Sequence, residues 1–225
     1  MFLVIEGLDG AGKSTQVKLL RQHLATKGID SEYVHFPRFD APFYGELVAR
    51  FLRGDFGTLD SVDPYLVATL YAGDRANASD MIKGWLKEGK CVIVDRYVYS
   101  NIAYQCAKIE DDTERERLRE WIFDLEYNNN KIISPDISIF LDVPFKFTEK
   151  SLTSEREGDD RAYLNGKQDI HESSLSFQEK VRQTYLAQIH RDERFKVVEC
   201  CDDKGDMLAP EIIFDKILET VMCNK

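Results

Sequence analysis

An apolar run, Phe2–Ile5, leads through Glu6 into Gly7-Leu8-Asp9-Gly10-Ala11-Gly12-Lys13-Ser14. Beyond it Val17, Leu20 and Leu24 recur at helical spacing as far as Gly28. The segment meets each fixed position of G-x-x-x-x-G-K-[ST], in the strand–turn–helix setting that gives the pattern its meaning. The glycines let the backbone wrap closely, so that successive N–H groups and the helix N-terminus face phosphate oxygens. Lys13 is then placed to reach β and γ phosphates, and the Ser14 hydroxyl to help hold Mg²⁺. The competing reading is a glycine-rich turn that merely joins a strand to a helix; the flanking pattern argues against it.

The rest of the chain repeats this alternation. Ser31–His35, Cys91–Val94, Ile137–Leu141 and Phe195–Cys200 read as short strands, the second of them a continuous apolar run suited to burial on both faces. Helical spacing separates them: Phe43 to Leu52, Asp63 to Lys87 with a break expected near Gly73, Asn101 to Lys108, and a stripe of Leu118, Trp121, Ile122 and Leu125 behind a Thr113–Glu116 capping box. Asn128 to Pro135 reads as turn, Leu175 to Ile189 as helix, and a last helix starts near Pro210. This is the pattern of an α/β fold, a parallel sheet covered by helices on both faces. At 225 residues, with no linker or repeat, it is expected to be a single domain over 1–225. Residues 151–172 stand apart as charged and poor in apolar side chains, a mobile surface segment suited to a lid.

Composition removes several classes of function. With 30 basic against 40 acidic side chains and a net charge of -10, the chain lacks the broad basic surface of a nucleic-acid coat. A few arginines in one cleft can still reverse the local potential for a small anion. Five cysteines without paired spacing suggest reduced thiols rather than a disulfide framework or zinc site. The N-terminal apolar run is too short for a signal peptide, and no stretch approaches the roughly 18 residues of a membrane span. A cytoplasmic protein is expected, with no nucleic-acid or membrane partner.

Other residues speak to the second substrate. The strand Cys91–Val94 ends in Asp95-Arg96-Tyr97. A carboxylate there can serve a magnesium shell, and an arginine at a strand's carboxyl end lies in the ligand crevice of an open α/β sheet. Its planar fork suits phosphate or carboxylate, although an Asp–Arg ion pair would look the same. Arg38 follows the second strand in Phe36-Pro37-Arg38. Tyr71 and Arg75 are i,i+4 neighbours that could stack on and hydrogen-bond a nucleobase, or lie solvated on the surface. No Asn-Lys-x-Asp guanine reader occurs.

Together Gly7 to Thr15, Phe36-Pro37-Arg38, Tyr71 to Arg75, Asp95-Arg96-Tyr97 through Ser100, Tyr104-Gln105 and the arginines near residue 160 resemble thymidylate kinase, in order, from residue 1 to about 190. The resemblance implies a P-loop kinase fold, five parallel strands in the order 2-3-1-4-5. It implies transfer of the γ-phosphate of ATP to dTMP, giving dTDP and ADP in dTTP synthesis, with Mg²⁺ and commonly a homodimer. Gly7, Leu8, Asp9, Gly10, Ala11, Gly12, Lys13, Ser14 and Thr15 would cradle ATP, with Ser14 and Asp95 serving the metal. Asp9 would contact the acceptor sugar, Arg38 and Arg96 clamp its phosphate, Tyr71 stack on thymine and Arg75 donate to its carbonyl. Ser100 and Gln105 would face the base, and Tyr104 would screen the sugar. Gly10 stands where the eukaryotic branch has an arginine in the loop, so the transition-state cation would come from Arg156 or Arg161 in the lid, as in the bacterial branch. The Phe-Pro-Arg segment, by contrast, differs from the Thr-Arg-Glu-Pro of many bacterial members. A deoxynucleoside kinase, which shares the fold, would carry Glu-Arg-Ser where this chain has Asp95-Arg96-Tyr97. A regulatory ATP-binding protein without transfer activity is the rival from another class.

Overall fold

The computed structural model describes residues 1–153, 163–167, 169–172 and 174–222. The apolar runs form five parallel strands, β1 (Phe2–Gly7), β2 (Ser31–His35), β3 (Cys91–Asp95), β4 (Ile137–Asp142) and β5 (Phe195–Glu199), in the order β2-β3-β1-β4-β5. β1 lies at the centre, with Leu3 opposite Ile93 on one side and Ile137 on the other. Because successive side chains point to opposite faces, its residues divide between two cores. Phe2 and Val4 pack with Val92, Val94 and Phe140 under the helices of one face. Leu3 and Ile5 pack with Ile93, Ile139 and Leu141 under α1 (Lys13–Thr26) and α8 (Pro210–Met222) on the other. Truncating one of these fully buried aliphatics to Ala removes about 2–5 kcal/mol.

The first face is covered by α3 (Pro64–Lys87), α4 (Val98–Cys106), α5 (Asp112–Phe123) and α7 (Leu175–Leu186). α2 (Tyr44–Leu52) packs Val48, Phe51 and Leu52 on Val67 of α3, making a third, smaller core beside the cleft. A short α6 (Phe145–Thr153), not anticipated from the spacing, follows β4.

Several boundaries differ from those expected, each for a visible reason. α3 does not break at Gly73. A Cβ there would lie 2.2 Å from the Tyr44 ring, so the glycine admits α2 rather than ending the helix. α4 starts three residues before Asn101, because the buried Glu6 carboxylate accepts from the N–H groups of Tyr97 (2.9 Å) and Ser100 (3.3 Å) and caps it from another strand. α5 is capped by Asp111, which accepts from Glu114 N at 2.8 Å, and not by Thr113. It then runs on into a π turn, Asp124–Asn129, where the sequence reads partly as loop.

The charged segment also differs from a wholly solvated strip. Asn165 to Lys167 are exposed, but Leu164, Asp169 and His171 are buried. Tyr163 stacks on Phe39 at 3.7 Å, Ile170 N donates to Leu52 O at 3.0 Å, and Lys167 pairs with Asp55 at 2.7 Å. Arg156 and Arg161 lie outside the described residues.

Candidate active site

All five strands end at the same edge of the sheet, and over the ends of β1, β2 and β3 opens a cleft of about 1180 Å³. At its floor β1 passes into the glycine-rich loop. Gly10 (φ 76°) and Gly12 (φ 80°) take the left-handed conformation that folds the loop back over itself. A Cβ on Gly7 would stand 3.2 Å from that of Ala11, so the loop closes tightly against its own entry. Lys13 is folded under the loop, donating to Leu8 O at 3.0 Å and Gly7 O at 3.4 Å. Burial, then the Arg96 charge, lowers its pKa from the ordinary lysine value.

Asp95 stands at the end of β3, buried, with Oδ2 3.4 Å from His35 Nδ1. Although burial works against its charge, the Lys13 cation and His35 hold its pKa below the usual carboxylate value. Its Oδ1 is buried with no hydrogen-bond partner among the described residues, while Ser14 is exposed in the first turn of α1 and lines the same cleft. An orphaned carboxylate oxygen and an accessible hydroxyl fit Mg²⁺ held mostly by phosphates and water. Among the described residues no group of three or more His, Cys, Asp or Glu side chains could form a metal cage.

Arg96 has φ 66°, a conformation costing a non-glycine residue on the order of 1–3 kcal/mol. Its N–H still donates to Ile5 O at 2.9 Å, so the turn is pinned to β1 while the side chain swings into the cleft. There Nη2 donates to Asp9 at 2.7 Å and to Tyr104 OH at 3.3 Å, and Nη1 to Ser100 Oγ at 3.2 Å. Tyr104 OH in turn donates to the other Asp9 oxygen at 2.8 Å. Beneath, Ser100 Oγ lies 2.5 Å from Glu6 and 2.6 Å from Tyr185 OH. The Ser100 hydroxyl is thus engaged below the clamp. Burial raises the pKa of Glu6.

The far wall comes from α3 and its neighbours. Arg38 grips the buried Asp74, with backbone N donating at 2.8 Å, Nε at 2.9 Å and Nη2 also at 2.8 Å from the carboxylate. Tyr71 is half-buried on the cleft wall, and Arg75 is fully buried beside it, so the pair is not a solvated surface feature. Glu126 from the π turn holds Arg75 in a two-pronged pair at 2.6 Å on each side. Gln105 is buried with both amide atoms unpartnered among the described residues. Closing the wall, Asp169 accepts from Tyr163 OH and His171 N, each at 2.8 Å; burial and then Asp9 push its pKa up to about 7.

The cleft therefore brings together Asp9 to Thr15, Arg38, Tyr71, Arg75, Asp95, Arg96, Ser100, Tyr104 and Gln105. Gly7 and Leu8 lie beneath the loop, Leu8 with 1% exposure. The sequence reading missed Glu6, Asp74, Asn101, Glu126, Asp169 and His171. Of these only Glu6, directly ahead of the glycine-rich loop, had a local signal.

Comparison with known proteins agrees with this geometry. The family model described as thymidylate kinase matches residues 5–207. A protein of Thermococcus onnurineus named "Probable thymidylate kinase" is 36% identical over 205 residues, covering 88% of each chain. The thymidylate kinase of Mycobacterium tuberculosis is 35% identical over 143 residues, 64% of this chain and 66% of that one. The solved thymidylate kinase of Candida albicans superposes with a TM-score of 0.71 at 26% identity, over 99% of this chain and 91% of its own. A glycine-rich loop at the end of β1, an anion clamp at the end of β3 and these matches lead to one conclusion: the chain belongs to the thymidylate kinase family.

Proposed function

We propose that the cleft holds ATP and dTMP end to end and passes the γ-phosphate across, giving ADP and dTDP. The observation that carries this reading is that Lys13 and Arg96 line one continuous cleft, Lys13 in the phosphate loop and Arg96 beside it, on Asp9 of that loop. Residues 7–15 take the ATP phosphates. Arg96, with Arg38 beside it, takes the acceptor phosphate. Tyr71 stacks on the base, Arg75 and Gln105 meet its polar edge, Ser100 lines the wall beside them, and Asp9 with Tyr104 borders the sugar.

The acceptor is itself a phosphate monoester with a second pKa near 6, about one unit below neutrality, so it arrives largely as the dianion and needs no general base. The difficulty is to align two polyanions and to stabilise a loose, in-line transition state. Lys13 and Arg96 address both by position and charge. Ser14 and Asp95 would hold Mg²⁺, which when bound neutralises charge on the β and γ phosphate oxygens.

A lid over 151–172 supplies the last cation, Arg156 or Arg161, and keeps water out. Arg156→Ala and Arg161→Ala are tested singly. At least one should lower kcat by about tenfold or more with little change in dTMP affinity. Wild-type turnover in both would remove these arginines from the mechanism.

No helix of the described residues is long and apolar enough to cross a membrane. A cytoplasmic setting is supported by Cys91, Cys106, Cys200 and Cys201, none of which is in a disulfide. A homodimer is proposed from the family membership. Sedimentation should report twice the chain mass.

The functional reading is tested by incubating the protein with ATP and Mg²⁺ and offering either dTMP or thymidine. Formation of dTDP from dTMP, with thymidine untouched, is expected. Phosphorylation of thymidine alone would point to a deoxynucleoside kinase, and no product from either would point to a binding protein.

A further inference from the structure

After Phe123 the α5 helix widens into the π turn, and that turn carries Glu126 to the interior, 0% exposed. Both its oxygens are engaged. Oε2 accepts from Arg75 Nε at 2.6 Å, and Oε1 accepts from Arg75 Nη2 at 2.6 Å and from Asn101 Nδ2 at 3.0 Å. Asn101 Nδ2 also donates to Ala68 O at 3.0 Å. Both hydrogens of that amide are therefore used. Turning it over would set its oxygen against a carboxylate and a carbonyl, so the orientation is forced by the network. Asn101 Oδ1 is left buried with no hydrogen-bond partner among the described residues, on a side chain that lines the cleft beside Arg75. Arg75 keeps the N–H groups that Glu126 does not take.

We infer that Glu126 is the positioning residue that sets base specificity: by fixing Arg75 as a donor and Asn101 as an acceptor, it makes the wall read a pyrimidine with a C4 keto oxygen beside N3–H. The inference rests on the proposed placement of dTMP against Tyr71 and Arg75. Cytosine presents an amino group at C4 and a bare lone pair at N3. Against it the Arg75 donor meets a donor and the Asn101 oxygen meets a lone pair. Buried polar groups left unpaired in this way discriminate far more strongly than a missing methylene. Glutamine at position 126 lifts the constraint. Its NH₂ can donate to Asn101 Oδ1, the Asn101 amide is free to turn, and Arg75 loses one side of its grip.

Wild type and Glu126→Gln are assayed with dTMP and with dCMP at several ATP concentrations. We expect the ratio of kcat/KM for dTMP over dCMP to be at least about a hundred in wild type and to shrink by about tenfold or more in the variant. The KM for ATP should stay within about twofold. A merely structural role would lower both substrates together. An unchanged ratio in a variant that still binds ATP overturns the inference.

Should Glu126→Gln fail to fold, wild type with N3-methyl-dTMP decides. A loss in kcat/KM of about tenfold or more against dTMP supports the acceptor at Asn101, and a smaller loss overturns it. Failure of wild type to turn over dTMP itself would remove the placement of dTMP instead, an outcome distinct from an unchanged ratio.

Discussion

The two ends of the cleft are built on different principles. At the phosphate end the binding groups sit on a short loop between β1 and α1 and on the turn after β3, and local backbone geometry aims them. At the base end they are buried side chains from α3, α4, the π turn and residues 169–172, each held by another side chain: Arg75 and Asn101 on Glu126, Asp169 on Tyr163. Phosphate is recognised by charge and N–H direction, which local backbone geometry can supply. A base must be told from other bases by a donor–acceptor pattern, which requires side chains fixed in orientation. The first end should therefore govern the rate and the second the choice of acceptor.

The largest effect is expected from Lys13→Met. Losing the buried cation should reduce kcat by at least about 10²–10³ in a coupled ADP assay, and an active variant would break the assignment of the loop. Next is Arg96→Lys, which keeps the charge but loses the fork that reaches Asp9, Ser100 and Tyr104 together. Here kcat and kcat/KM should fall together by roughly 10²-fold; a change in KM alone would put Arg96 on the binding side of the comparison. Tyr71→Ala tests the opposite end. Loss of a stacking plane worth about 1–3 kcal/mol should raise the KM for dTMP by about tenfold or more, with kcat little changed.

A separate effect concerns stability rather than turnover. The folded Asp169 has its pKa pushed up to about 7, from an ordinary 3.8, by burial and the nearby Asp9. Between those values the folded state binds the extra proton, so this group's contribution to stability falls as pH rises from about 4 to about 7 and is level above. Asp169→Asn, always neutral, should remove that slope, by up to about 1.4 kcal/mol per pH unit in urea unfolding. Identical slopes for variant and wild type would separate Asp169 from the pH dependence.

The contrast also explains how much was legible beforehand. The loop, both strand-end arginines and the alternation of strand and helix follow from features that are local in sequence: a glycine spacing, continuous apolar runs and the polar residues directly after them; the strand order came only with the family resemblance. Tyr71 and Arg75 were visible as an i,i+4 pair on α3, but the pattern could not say whether they faced water, because the partner that buries Arg75 is Glu126, 51 residues away. Asn101 and Asp169 carried no local signal for the same reason. The break expected at Gly73 failed because the glycine's purpose is the approach of Tyr44, a contact between elements that no single window contains. Glu6 is the exception: a charged residue closing an otherwise apolar strand, it was marked by position, yet its work on α4 and Ser100 shows only in three dimensions.

The most direct test is a crystal structure of the protein with an adenosine–thymidine dinucleotide joined by five phosphates. The thymine should lie against Tyr71 and Arg75, and the phosphate chain should run past Arg96 and Lys13 along residues 7–15. A dinucleotide bound with its phosphates away from that loop, or with its thymine outside the wall formed by α3 and α4, would contradict the account.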